Sequence, residues 1–220
     1  MRKSLADTLS SHHLLKHPYY QAWNDGSLPA ESLRSYATQY FHHVQAFPRY
    51  LSATHSLCDS PEGRKVLLEN LTEEEGGDVN HPELWARFAE GLGVSRTDLA
   101  QAKAAPATQA LVDTFMGHAR ASYARGLGAL YAYEHQIPAV AEFKTEALKK
   151  FFGVKDPRAL QFFDVHRQAD VYHTQALDRL LEALSPEEFA EAESAAKDAA
   201  QALWSFLDSQ ASLCGMACSA

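Results

Sequence analysis

Residues 157–184 read PRALQFFDVHRQADVYHTQALDRLLEAL, and this segment carries a clear helical pattern. Asp156 immediately precedes the segment and Pro157 is its first residue, a combination typical of a helix start. One side of the predicted helix is apolar and is formed by Leu160, Phe163, Leu177, Leu180 and Leu181. Because successive helical residues turn by about 100°, apolar residues at these spacings indicate a helix that packs against other elements.

Three polar residues of this segment, His166, Asp170 and His173, share one helical face. Offsets of four and seven residues return to within about 40° of the starting direction. Imidazoles and a carboxylate are ligands that first-row ions such as iron or manganese accept. The same triple also fits a solvated polar stripe or hydrogen-bonded core histidines, and by itself it does not separate these interpretations.

The rest of the 220-residue chain also reads as helix. Between sparse turn signals, its segments keep the 3.6-residue period and are rich in Ala, Leu, Glu and Gln. Helices are predicted over residues 4–23, 29–58, 60–93, 95–103, 106–152, 156–184 and 185–210. Bends or interruptions are expected before Pro18 and at Pro48, Gly76 and Pro138. We therefore predict one all-α domain, a bundle of about seven helices over residues 1–210, with a flexible tail over residues 211–220.

Composition excludes several classes of protein. Hydrophobic residues make up 46% and charged residues 22%, as in an ordinary soluble chain. No apolar run approaches the ~20 residues of a membrane span, and no apolar region follows the basic start, so neither a span nor a secretory signal is predicted. The net charge of −8 disfavours nucleic acid and anionic membranes as partners. The scattered cysteines Cys58, Cys214 and Cys218 favour a reducing cytoplasm.

A second segment with metal-ligand chemistry contains Glu74 and His81. These residues are seven apart, so a continuous helix places them on one face, and a break at the intervening glycines leaves the pair to a loop. The neighbouring carboxylates Glu73, Glu75 and Asp78 offer alternative ligands. An acidic, solvated helix end is the competing interpretation.

A third segment contains Glu134, four residues before Pro138. Proline cannot donate to the carbonyl of residue 134 and crowds it, so the helix should kink beside this glutamate. A carboxylate at a kink in an apolar helix suggests a ligand, and a surface glutamate is the alternative. His135 points ~100° away from Glu134 and is not expected to be a co-ligand.

Together these candidates comprise three carboxylates and three histidines from three helical regions. This is the ligand chemistry of dinuclear carboxylate sites inside helix bundles. The familiar ferritin-like version uses Glu-x-x-His on two helices. Because this chain contains no Glu-x-x-His, that fold is disfavoured although the ligand set is alike.

The order of these motifs resembles the heme-oxygenase-like diiron oxidases, in particular the CADD-like proteins and more distantly PqqC and TenA. The matching stretches are Glu74-x6-His81-Pro82-Glu83-Leu84-Trp85, Tyr133-Glu134-x-Gln136-Ile137-Pro138 and His166-x3-Asp170-x2-His173. The likeness covers roughly Leu14 to Ser209. It implies a seven-helix heme-oxygenase-like bundle without heme, which binds two irons or an iron–manganese pair. The implied metal ligands are Glu74, His81, Glu134, His166, Asp170 and His173.

The resemblance also implies a reaction. CADD-like proteins form para-aminobenzoate, a folate precursor, with O2 and an external reductant, and are thought to consume one of their own tyrosines and the amino group of a lysine. The matching positions are Tyr20, in His17-Pro18-Tyr19-Tyr20, and Lys144, in Ala141-Glu142-Phe143-Lys144. Phe162 stands where the chlamydial relative has a tyrosine. If that tyrosine has an obligatory role in electron or radical transfer, this chain lacks it. Lys144 lies ~15 Å past Glu134 along an ideal helix, so the kink and the lysine stem must close this distance.

Other interpretations stay open at this point. A conventional dimetal oxidase of a diffusible small molecule would turn over many times and keep its mass. A metal-stabilised protein-binding module would use the metal only for structure, and the sequence also permits a homodimer. A thiaminase-type hydrolase on the same fold would need Cys58 as nucleophile and no metal.

Overall fold

The computed structural model describes residues 4–216, apart from the side chains of residues 168 and 169. Eleven α-helices run through this part of the chain, and two 3-10 turns, Ser10–His12 and Leu14–Lys16, lie between the first two. The helices are α1 Leu5–Leu9, α2 Pro18–Asp25, α3 Ala30–Ser56, α4 Pro61–Glu75, α5 His81–Gly91, α6 Arg96–Gln101, α7 Pro106–Ala121, α8 Tyr123–Glu134, α9 Ile137–Phe151, α10 Pro157–Glu182 and α11 Pro186–Leu213. The described residues contain no strand, so the all-α prediction is confirmed.

The predicted count of seven helices is too low because three predicted helices are divided. The first becomes α1, the two 3-10 turns and α2, which begins at Pro18. The third breaks after Glu75 into α4 and α5. The predicted helix 106–152 breaks twice, near Pro138 as expected and also at Ser122. The backbone of Ser122 is extended, and its side chain accepts a hydrogen bond from the Arg125 amide, which caps α8.

The last helix extends further than the sequence indicates. α11 continues through Leu213, past residue 210 where the bundle was expected to end, and Ala211 is buried. Gly215 then adopts a left-handed φ of 70°, and the Met216 amide donates to the Ala211 carbonyl, which closes the helix end. The rest of the predicted tail, residues 217–220, lies outside the described residues.

Helices α8 and α11 pack unusually closely because both present small residues. α11 carries a buried alanine stripe, made of Ala192, Ala195, Ala196, Ala199 and Ala200. Gly128 of α8 faces Ala192 so closely that a Cβ on Gly128 would collide with its carbonyl oxygen. This contact fixes α8 against the bundle, and Glu134 is the last residue of α8.

Helix α10 packs against α5, α8 and α9, and it also approaches α4. The ends of α4 and α8, the start of α5 and the middle of α10 therefore meet inside the bundle. Within the described part of the chain, none of the helices combines the length and apolarity needed to cross a bilayer.

Candidate functional site

All six predicted ligands are buried and approach one region of the interior from four helices. Each exposes 4% or less of its surface. They are Glu74 in the last turn of α4, His81 at the start of α5, Glu134 at the end of α8, and His166, Asp170 and His173 on α10. The +4 and +7 spacing on α10 thus places the three side chains on one face, and this face is buried.

Glu74, His81 and His166 form a first triad. One potential ligand atom from each lies within 4.8 Å of the other two. The Glu74 Oε2 and His81 Nδ1 atoms are 2.6 Å apart. His166 Nδ1 donates to the Phe162 carbonyl at 2.8 Å, and because a carbonyl only accepts, the Nε2 atom keeps its lone pair for a metal.

His173 lies near both Glu134 and Asp170, and we refer to these three residues as the second triad. His173 Nδ1 lies 3.4 Å from Asp170 Oδ1 and 4.0 Å from Glu134 Oε2. Within the described part of the chain, Glu134 Oε2 and Asp170 Oδ2 are buried without a hydrogen-bond partner. Buried carboxylate oxygens are costly to leave unpaired, so these atoms fit donors to a cation.

The electrostatics of the cluster also fit a cation. Burial raises the pKa of Glu134 to about 8, and the charge of Asp170 acts in the same direction. Burial acts to lower the pKa of His173, but the hydrogen bond to Asp170 and the charge of Glu134 raise it to about 9. The metal-free cluster therefore retains protons where divalent ions would replace them. Three carboxylates and three imidazoles fit two iron ions or an iron–manganese pair.

Local sequence explains how α4 and α5 present their ligands. α4 ends at Glu75, and Gly77 takes a left-handed φ of 73° in the following loop. The Asn80 side chain accepts from the Glu83 amide and caps α5, so His81 is its first residue. The glycines thus break the helix, and the pair Glu74 and His81 is held by two helix ends rather than by one face.

The other carboxylates near Glu74 are exposed. Glu73, Glu75 and Asp78 all lie at the surface, although Glu73 Oε2 lies 3.1 Å from His173 Nε2.

Around Glu134, the helix stops rather than kinks, because α8 ends there and Pro138 lies in the first turn of α9. His135 turns away, and its ring nitrogen Nδ1 donates to the Tyr131 carbonyl at 2.7 Å.

A second buried group contains Tyr20 and Lys144. Tyr20 is 1% exposed and Lys144 is 4% exposed. Lys144 Nζ donates to the Tyr36 hydroxyl at 2.7 Å and lies 4.5 Å from the centre of the Tyr20 ring. The hydroxyls of Tyr20 and Tyr36 are hydrogen-bonded at 2.8 Å. The two residues that the resemblance singled out are therefore neighbours, joined through Tyr36.

Burial controls the protonation of this group. Burial lowers the pKa of Lys144 well below its ordinary value, and no carboxylate in the described residues pairs with the side chain. Burial also raises the pKa of Tyr20 well above its ordinary value. Burial therefore favours the neutral amine form of Lys144 and the neutral phenol form of Tyr20.

A small cavity is lined by Lys144 and by residues that neighbour two of the predicted metal ligands. Its volume is about 10 Å³, and it is lined by Tyr40, Trp85, Tyr133, Ile137, Val140, Ala141, Lys144, Phe162 and Phe163. Tyr133 immediately precedes Glu134, and the ring centre of Phe162 is 4.0 Å from that of His166. Lys144 therefore reaches this cavity, which the neighbours of two predicted ligands also line.

Two residues of the site were missed from sequence. From its sequence Tyr36 is most simply a core aromatic, yet its hydroxyl connects Tyr20 to Lys144. Asn70 was not singled out, yet its buried Nδ2 donates to Glu134 Oε1 at 2.8 Å. A signal was present for Asn70, because it stands four residues before Glu74 and hence on the same helical face.

Cys58 is placed away from the cluster. Its Sγ donates to the Ser60 carbonyl at 3.4 Å, just before α4 begins. Glu74 lies at the opposite end of this 15-residue helix, ~20 Å further along. Cys58 therefore does not share a site with the buried carboxylates and histidines.

The fold and the buried cluster define a helical bundle that encloses carboxylates and histidines with the chemistry of metal ligands. The sequence profile described as iron-containing redox enzyme matches residues 34–206, and the chain belongs to this family. This match confirms the prediction that the chain is an oxidase or oxygenase.

Relatives support the same assignment. Two proteins named 4-aminobenzoate synthase, from Chlamydia muridarum and Nitrosomonas europaea, are 43% and 42% identical to this chain. The matches cover 91% and 94% of this chain and 86% and 89% of the relatives. A pyrroloquinoline-quinone synthase from Cronobacter sakazakii is 26% identical over 48% of this chain and 43% of its own length.

Solved structures confirm the predicted heme-oxygenase-like, TenA-like fold. A TenA homologue from Pseudomonas syringae has a TM-score of 0.81 at 20% identity, covering 94% of this chain and 91% of its own. A domain with a heme oxygenase-like fold from Shewanella denitrificans has a TM-score of 0.80 at 18% identity, covering 95% of this chain and 89% of its own. A CADD-like protein from Nostoc punctiforme has a TM-score of 0.78 at 20% identity, covering 96% of each chain.

Proposed function

We propose that this chain is a dimetal oxygenase that forms para-aminobenzoate (4-aminobenzoate) for folate synthesis from its own Tyr20 ring and Lys144 amino group. The names of the relatives support the product. The observation that carries the proposal is the position of Lys144 Nζ, 4.5 Å from the centre of the Tyr20 ring, with both side chains buried.

The two triads would hold the ions. Glu74, His81 and His166 would bind one, and Glu134, Asp170 and His173 would bind the other. When bound, two irons or an iron–manganese pair would supply the reduction of O2, with electrons from an external reductant. The free thiols Cys58 and Cys214 fit a reducing cytoplasm as the compartment.

The residues of the chain supply the carbon and nitrogen. In para-aminobenzoate the amino group lies para to the carboxylate, as the tyrosine hydroxyl lies para to Cβ. Tyr20 would therefore lose its Cα–Cβ bond, with Cα retained in the chain and Cβ oxidised by O2 to the carboxylate, and the Lys144 nitrogen would bond to the ring carbon as the hydroxyl oxygen leaves as water. Oxidation of Lys144 Cε by O2, followed by hydrolysis, would break the Cε–Nζ bond and leave an aldehyde on the lysine side chain. A neutral amine has the lone pair that this bond formation needs.

The surroundings favour a ring that belongs to the protein. Tyr36 holds both the Lys144 nitrogen and the Tyr20 hydroxyl, so the two groups are fixed before reaction. The adjacent cavity of about 10 Å³ is close to what one water molecule requires, and a second aromatic molecule would not fit. A small molecule such as O2 is better matched to this space than a diffusible aromatic substrate.

The test is a single exposure of iron-loaded, reduced protein to O2, followed by intact-mass and peptide mass spectrometry. We expect wild-type protein to lose mass at Tyr20 and to release at most about one product molecule per chain. Tyr20→Phe should release none, whereas Tyr19→Phe, which alters the adjacent ring only, should still react. Many product molecules from a chain of unchanged mass would instead show a conventional oxidase.

A further inference from the structure

Asn70 occupies an unusual position for a polar residue. It is 3% exposed and lies on α4, one helical turn before Glu74. Residues four apart share a helical face, so Asn70 points into the same interior as this predicted ligand. An amide in such a place needs hydrogen bonds to offset its burial.

The amide of Asn70 makes one hydrogen bond, through Nδ2, and its Oδ1 has no hydrogen-bond partner within the described residues. Its Nδ2 donates to Glu134 Oε1 at 2.8 Å, which links α4 to the end of α8. The second oxygen, Glu134 Oε2, has no hydrogen bond within the described residues and lies 4.0 Å from His173 Nδ1. The two oxygens of this carboxylate are thus distinguished by Asn70, one bound by the amide and one left available.

An amide is well suited to this role. Its NH2 group only donates, so it binds a carboxylate without competing strongly for a cation. A carboxylate at position 70 would accept rather than donate and would add a fourth negative charge to the cluster. An aliphatic residue would leave Glu134 Oε1 buried without a donor.

We propose that Asn70 is a positioning residue that holds Glu134 so that Oε2 is the atom presented to the metal of the second triad. This inference rests on the proposed dimetal centre. Hydrogen-bond partners of metal ligands commonly change metal affinity about 10–100-fold when they are removed. The effect should fall mainly on the ion held by Glu134, Asp170 and His173, because the one hydrogen bond of the Asn70 side chain within the described residues goes to Glu134.

The test is a titration of metal-free protein with Mn²⁺ under anaerobic conditions, followed by electron paramagnetic resonance of free and bound ion. The variants are Asn70→Leu, which keeps the branched side-chain shape without a hydrogen-bonding group, and Asn70→Ala, which shortens the side chain. Asn24→Ala, at an exposed position on α2, is the matched control. The thermal unfolding of each metal-free variant is measured alongside.

We expect both Asn70 variants to bind one Mn²⁺ as wild type does and the second about 10–100-fold more weakly, with Asn24→Ala unchanged. Two ions bound with wild-type affinity would overturn the inference. Equal weakening of both ions with a lower melting temperature would also overturn it, because that pattern indicates a purely structural role. If wild-type protein itself fails to bind two ions, the dimetal proposal fails instead.

Discussion

The side-chain nitrogen of Lys144 lies 4.5 Å from the centre of the Tyr20 ring, although 124 positions separate them in the chain and both are buried. The Tyr36 hydroxyl joins the two groups by hydrogen bonds of 2.7 Å and 2.8 Å. A buried lysine without a carboxylate partner is costly to a fold. This arrangement is therefore better explained by chemistry than by stability.

Replacing Lys144 should stabilise the protein, and the gain should depend on pH. In the unfolded chain the lysine pKa is about 10.4, whereas burial lowers it in the folded state. At pH values between these two pKa values, the lysine is protonated in the unfolded chain and neutral in the folded chain. The free energy of unfolding of wild type should therefore fall as pH falls, by up to about 1.4 kcal/mol per pH unit.

Lys144→Met should lack this contribution, so its stability advantage should widen as the pH is lowered from 10 towards 7. Urea unfolding of metal-free protein across this range measures it. Lys150→Met, at an exposed position on the same helix, should run parallel to wild type. A Lys144→Met curve parallel to wild type would show that the lysine is charged in the fold.

Tyr36→Phe should uncouple the lysine from the reacting ring. The ring stays in the aromatic stack, but Lys144 loses its hydrogen-bond acceptor and Tyr20 loses its partner. We expect a cost of about 1–3 kcal/mol in stability. If the lost positioning raises the activation free energy by about 1.4 kcal/mol, the reaction slows about tenfold. The rate of product release in a single turnover measures this change. Wild-type kinetics in Tyr36→Phe would mean that the hydroxyl does not position the amine.

His173→Ala should remove one of two metal sites. Dialysis against Fe²⁺ without O2, followed by elemental analysis, should give about two ions per wild-type chain and about one for the variant. The second triad loses its only imidazole, whereas the first keeps all three donors. His55→Ala, in the last turn of α3, should keep both ions. Unchanged occupancy in His173→Ala would remove this residue from the ligand set.

Gly128→Ala should destabilise the bundle. The added methyl would collide with the Ala192 carbonyl, so α8 or α11 must shift, at a cost of about 1–3 kcal/mol. A methyl group on Gly117 of α7 would meet no atom of another described element within 4 Å, so Gly117→Ala should stabilise by about 0.5–1 kcal/mol. Urea unfolding compares the two. Equal effects would show that the α8–α11 contact tolerates a larger side chain.

Much of the carboxylate–histidine cluster could be predicted from sequence because its residues lie on regular local structure. The helical period alone predicts that His166, Asp170 and His173 share one face of a helix. Pro138 marked the chain break beside Glu134, and the glycines marked the break after Glu74. Each of these signals depends only on residues close in the chain.

The remaining features depend on distant partners and were not predictable locally. Asn70 bonds a residue 64 positions away, and Tyr36 bonds one 108 positions away. The break at Ser122 contains neither proline nor glycine, and serine is also tolerated inside helices. Its cap becomes favourable only where packing ends α7. The extent of α11 likewise depends on the burial of Ala211 rather than on an apolar stripe.

The most direct test of self-consumption uses protein produced with tyrosine that carries ¹³C at all ring positions and at Cβ. The purified protein is loaded with iron, reduced and exposed to O2 in the presence of excess unlabelled free tyrosine. We predict that the released para-aminobenzoate carries label in all seven carbons, and that Tyr20→Phe protein releases none. Unlabelled product, or labelled product from Tyr20→Phe, would contradict the account.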